Sequence, residues 1–88
     1  MKHLARKSFW EHYDRLPKKT KALADKNFEL LKQDPRHPSL QLKKAGRLWS
    51  ARVGLDFRAL AYDSPQGLVW FWIGPHDEYE RSLGSLGR

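Results

Sequence analysis

The sequence predicts an α+β fold: an N-terminal helical hairpin packed on an antiparallel sheet of about four strands, with a short C-terminal helix. Three observations carry that expectation. Apolar residues recur at helical spacing in the first third of the chain and alternate in the second half. Turn residues around Gly46, Gly54 and Ser64-Pro65 leave connections of hairpin length. The 88 residues suffice for one domain, residues 1–88, so helices and strands must share one core.

The first helix is expected from Ser8, where Ser8 and Glu11 form a capping-box pattern. Phe9, Tyr13 and Leu16 then fall on one face. Pro17 breaks that helix and can open the next as its first residue. The second helix carries Leu23, Asn27, Leu30 and Leu31 on one side, with Ala24 and Phe28 beside them and its lysines largely outside the stripe. Asp34-Pro35 ends it, because a residue before proline avoids helical angles. Strands follow at 40–42, 48–53, 57–62 and 68–73, the first three alternating. Leu68 to Ile73 is continuously apolar, which reads as a strand covered on both faces. Gly74-Pro75 stops it, since proline cannot donate to a ladder. A terminal helix capped by Asp77 is expected next, with His76 in the turn before it.

There are no cysteines, which agrees with a reducing compartment. No apolar stretch is long enough to span a membrane, and MKHLARKSFW lacks the apolar core of a secretory signal. A cytoplasmic protein is expected. Lys and Arg number 17 against 10 Asp and Glu, a net charge of +7. Such an excess costs self-repulsion and attracts polyanions, which points to nucleic acid or an acidic protein partner. No P-loop, dinucleotide-binding glycine pattern, Gly-x-Ser-x-Gly or EF-hand occurs, and the histidines lack metal-ligand spacing. No metal and no cofactor are expected.

With Gly54, Leu55 and Asp56 as a loop, Arg52 faces Arg58 across a hairpin. Like charges so placed cost roughly 0.2–1 kcal/mol. An anion between the two guanidinium forks would remove that cost, as would splaying into water or neutralisation by Asp56 or Asp63. Lys43, Lys44 and Arg47 add a basic turn able to track a phosphate backbone. His76 follows the most apolar strand, where a rigid scaffold can aim a ring that titrates near neutral pH. Tyr79, three residues on, can approach the same cleft. Trp49, Trp70 and Trp72 are assigned to the core, the last two on one strand face; Trp10 lies off its helix stripe and is the best partner contact.

The segments DPRHPSLQLKKAGRLWSARVGLDFRALAY and FWIGPHDEYERSL resemble the RelE/ParE superfamily of bacterial toxins from type II toxin–antitoxin modules, most closely its RelE-like branch. The resemblance covers nearly the whole chain to Leu83. It implies a curved antiparallel sheet, a short first strand within residues 2–6, and a cognate antitoxin that covers a basic cleft. It further implies an endoribonuclease that binds mRNA in the ribosome and cleaves it without metal, through attack of a ribose 2′-hydroxyl on the adjacent phosphate. By position, the resemblance makes Arg58 the phosphate-binding arginine, Arg52 a basic neighbour and His76 the general acid. It also implies that Tyr79 belongs to the site and that Lys43 and Lys44 hold RNA. It leaves the general base open between Glu78 and His37, Ser50 being on the right face but a poor base. The superfamily also contains ParE-type gyrase poisons with no nuclease activity, so that alternative stands, as does a non-toxic RNA-binding relative.

Overall fold

The structure, a computed structural model, describes residues 2–86. In chain order the elements are β1 (His3–Ala5), α1 (Lys7–Asp14), α2 (Lys18–Gln33), a 3-10 turn (Pro38–Leu40), β2 (Lys43–Ala45), β3 (Leu48–Val53), β4 (Phe57–Ser64), β5 (Gly67–Pro75) and α3 (His76–Leu86). The strands form one sheet in the order β1-β5-β4-β3-β2. The expected helical hairpin, the antiparallel strands and the terminal helix are all present. The sheet has five strands rather than four and is mixed, because β1 runs parallel to β5. A parallel partner cannot be reached by a tight turn, and a three-residue strand is too short to show a period.

Alternation divides the sheet into two faces. Trp49, Ala51 and Val53 of β3, Phe57, Ala59 and Ala61 of β4, and Leu68, Trp70 and Ile73 of β5 pack beneath the helices. Leu16 and Leu31 close this core from the helical side, joined by Leu40 of the 3-10 turn. Alanines in the middle of the sheet leave room for the larger α2 side chains Leu23 and Leu30. At Gly54, φ is +68°, which favours glycine, and an added Cβ would stand 2.7 Å from Leu23 Cδ2 and displace that side chain. Arg52, Arg58, Leu60 and Trp72 lie on the other face.

Helix α1 flanks the part of β5 beyond its pairing with β1. Ser8 is not a cap: its hydroxyl donates to the Phe71 carbonyl at 2.9 Å, and the N-cap position is Arg6 without a side-chain hydrogen bond. An unpaired β5 carbonyl therefore captures the hydroxyl that the capping pattern assigned to the helix. Tyr13 joins the two helices by donating to Asp25 at 2.7 Å. Pro17 is the N-cap of α2 rather than its first residue.

Three local expectations are overturned. Residues 40–42 are not a strand: Leu40 ends the 3-10 turn, Gln41 is left-handed, and β2 begins at Lys43. Gly74 and Pro75 do not stop β5 but pair with Arg58 and Phe57, proline being tolerated at the strand's last position. Trp70 and Trp72 do not share a face. Ala61 pairs with Trp70 and Leu60 with Trp72, so Phe71 is an inserted residue. That bulge resets the alternation, burying Trp70 under the helices and turning Trp72 to the other side.

Trp70 donates its indole N–H to His3 Nδ1 at 3.1 Å. Burial, then neighbouring positive charge including Lys32, holds the His3 imidazole below its usual range. The folded chain thus resists a proton that the unfolded chain accepts. This stabilisation is complete above the ordinary imidazole value and is lost as pH falls through and below it. Thermal melts between pH 7.5 and 5 are expected to show a midpoint that falls with acidity, and less steeply in His3→Asn. An equal slope in the variant would exclude His3 as a source.

Candidate anion-binding site on the sheet face opposite the helical hairpin

Arg52 and Arg58 are directly opposite in the β3–β4 register, as the hairpin spacing requires. Their side chains diverge. Arg52 Nε turns back to donate to the Gly54 carbonyl at 3.0 Å. Its own carbonyl accepts from Asn27 Nδ2 at 3.2 Å, which fixes the strand end to α2. Arg58 runs beneath α3, with its guanidinium carbon 5.2 Å from the centroid of the Tyr79 ring. One of its terminal nitrogens, Nη2, donates to Gln41 Oε1 at 3.4 Å. The other, Nη1, is buried without a hydrogen-bond partner among the described residues. A buried charged donor left unpaired costs at least roughly 1–3 kcal/mol, so its presence calls for an explanation.

Helix α3 supplies the rest. His76 is its first residue, not part of the preceding turn, and its backbone N–H donates to the Asp56 carbonyl at 2.7 Å. That bond ties the helix start to the β3–β4 loop. The His76 ring stacks on Tyr79 with centroids 5.7 Å apart, and its Nε2 lies 3.1 Å from Glu80 Oε1. Tyr79 donates to Ser50 Oγ at 3.4 Å, where Ser50 is only 5% exposed. His76, Tyr79 and Arg58 thus form a stacked series over β3 and β4, with Ser50 below. The Arg58–Gln41 and Tyr79–Ser50 bonds are long, at 3.4 Å each.

Trp72 borders this face. A Cβ on Gly74, which pairs with Arg58, would stand 2.6 Å from the Trp72 ring. The indole thus lies across the glycine backbone next to the arginine. An aromatic ring beside a guanidinium suits a nucleobase beside its phosphate.

The basic residues of β2 and its turn do not act together. Lys43 pairs with Ser50 and shares the Arg58 face. Lys44 pairs with Trp49 and points to the opposite face. There its Nζ meets Asp63 Oδ2 at 3.0 Å, while Trp49 Nε1 donates to Asp63 Oδ1 at 3.0 Å. The Lys44 hydrogen bond, then that of Trp49, holds the Asp63 carboxyl below its usual range. Asp63 therefore does not neutralise either arginine. Arg47 stands in the turn at the far end of β3, about 16 Å along the strand from Arg52. Adjacent positions of a strand face opposite ways, and that separates Lys43 from Lys44.

His37 serves the 3-10 turn, its Nδ1 accepting from the Ser39 backbone N–H at 3.2 Å. Glu78 is exposed on α3. Gln41 is the site residue that sequence reasoning missed. No group of three potential ligands among the described residues is arranged to hold a metal ion, and no helix among them is long and apolar enough to cross a membrane. A separate groove under the helices is apolar, lined by Phe9, Trp10, Phe28, Leu31, Trp70 and Ile73. Trp10, 49% exposed, stands at its border.

No family model and no curated protein matches the chain. Solved structures do. The structure is similar to one from a RelB–RelE antitoxin–toxin complex of Methanococcus jannaschii, with a TM-score of 0.70 and 13% identity, covering 90% of this chain and 96% of that one. It is similar to the YoeB/ParE toxin of Agrobacterium tumefaciens, with a TM-score of 0.65 and 19% identity over 86% and 99% of the two chains. It is also similar to the isolated E. coli RelE toxin, with a TM-score of 0.60 and 9% identity over 96% of each.

Proposed function

We propose that this chain, which has the RelE/ParE toxin fold, is the toxin of a toxin–antitoxin pair and cleaves mRNA in the cytoplasm on the ribosome. The carrying observation is Arg58: a guanidinium held under an aromatic ring, with one buried nitrogen unpartnered. A phosphate oxygen would take that nitrogen's hydrogen bond. Preorganised donors aimed at developing charge are usually the largest catalytic contribution.

In the proposed reaction the ribose 2′-hydroxyl attacks the adjacent phosphorus and the bond to the 5′-oxygen breaks. The products are a 2′,3′-cyclic phosphate and a 5′-hydroxyl. Arg58 neutralises the charge that builds on the phosphoryl oxygens. His76, oriented by Glu80 and stacked on Tyr79, delivers a proton to the leaving oxygen. The 2′-hydroxyl proton leaves to solvent or to a ribosomal group, since among the described residues no unassigned base is in contact with Arg58. Lys43 and Arg52 supply positive charge to the backbone on either side. The partner antitoxin would cover this face with acidic side chains and place an apolar segment against Trp10.

Induction of the protein without an antitoxin is expected to arrest growth and to create new 5′ ends within codons of translated mRNA, seen by primer extension. Growth arrest with intact mRNA and inhibited DNA supercoiling would overturn the ribonuclease reading in favour of a gyrase poison. Harmless expression would overturn both toxin readings.

A further inference from the structure

Gln41 has φ 43° and ψ 48°, and it is the one non-glycine residue with positive φ among the described residues. Left-handed backbone is strained for a side chain other than glycine, and asparagine or aspartate would relieve it by local hydrogen bonding. Strain of this kind clusters at binding and catalytic sites. The Gln41 backbone N–H closes the 3-10 turn on the Pro38 carbonyl at 3.2 Å, a bond that glycine would make equally well. What glycine lacks is the carboxamide, and Oε1 is the atom that receives Arg58 Nη2.

The Arg58 guanidinium is then constrained on two sides, by the Tyr79 ring over its plane and by Gln41 at one edge. Its planar fork leaves Nη1 with a fixed direction. We propose that Gln41 is a positioning residue whose carboxamide oxygen holds Nη2 and so orients Nη1 toward the phosphate-binding position. A neutral acceptor suits this role, because a carboxylate there would pair with Arg58 and cancel the charge meant for the ligand. The proposal rests on the reading of Arg58 as the phosphate-binding group.

The test measures two quantities in four purified proteins: the thermal midpoint, and affinity for a 2′-O-methyl RNA hexanucleotide, which lacks the attacking hydroxyl and cannot be cleaved. In Gln41→Gly the midpoint is expected to rise by roughly 4 °C as strain is relieved. Affinity is expected to fall roughly 2- to 10-fold, the worth of one hydrogen bond. Gln41→Glu, nearly the same shape, is expected to bind more weakly than Gln41→Gly with no loss of thermal midpoint. Arg58→Met serves as the reference for loss of the guanidinium. Unchanged affinity in Gln41→Gly beside weakened binding in Arg58→Met would overturn the positioning role and leave the Arg58 reading intact. Affinity lost together with a lowered midpoint would make Gln41 merely structural. Unchanged affinity in Arg58→Met would remove the Arg58 reading and this proposal with it.

Discussion

Arg58→Met is expected to lower RNA cleavage by roughly 10²–10³-fold, the usual loss when one preorganised donor to a developing oxyanion is removed. The same change is expected to raise the thermal midpoint. Methionine keeps an apolar stem along the sheet and removes a buried donor that has no partner. Opposite movements of activity and stability are characteristic of a group placed for function at a cost to the fold. Primer extension on translated mRNA and a thermal melt of the purified variant check the two halves. Retained cleavage in a folded Arg58→Met protein would leave the proposed mechanism without its charge-stabilising group. Lysine at this position is expected to restore little, because an ammonium is a point charge that lacks the planar fork.

Trp70→Ala is expected to have the largest effect on stability. Trp70 is 4% exposed, under the helices, and paired through its N–H to His3. Truncating a buried tryptophan costs roughly 3–5 kcal/mol, against a total of roughly 5–15 kcal/mol for a small domain. The midpoint should fall by at least about 12 °C. Trp72→Ala is expected to cost much less, because that ring is only half-buried and lies on the other face. Trp70→Phe separates packing from hydrogen bonding: most of the stability should return, while the acid sensitivity attributed to His3 should change with loss of its donor. Equal losses in Trp70→Ala and Trp72→Ala would contradict the bulge that places them on opposite faces.

The two tryptophans show where one-dimensional reading stops. The unbroken apolar run at residues 68–73 marks a strand, yet the inserted Phe71 is visible only once β4 is aligned beside it, with Leu60 and Ala61 facing Trp72 and Trp70. The lysines of β2 behave similarly. Lys43 and Lys44 look alike as a basic pair, and only the pairing with Ser50 and Trp49 assigns them to different faces. At Arg52 and Arg58, by contrast, a three-residue loop was enough to set the register, because hairpin geometry is local.

Composition and periodicity by themselves determined the helical hairpin, the three long strands, the opposed arginines and the strong positive charge. Each of these depends on residues a few positions apart, whose spacing or turn chemistry is written in the chain. Tertiary structure alone decided that β1 pairs in parallel with β5, that Ser8 bonds a strand carbonyl, and that Arg58 lies between Tyr79 and Gln41. Those contacts join residues up to 65 positions apart, as His3 and Leu68 are. Their partners are chosen by which backbone groups and which side chains remain unsatisfied after the local elements have formed, and no local pattern encodes that remainder.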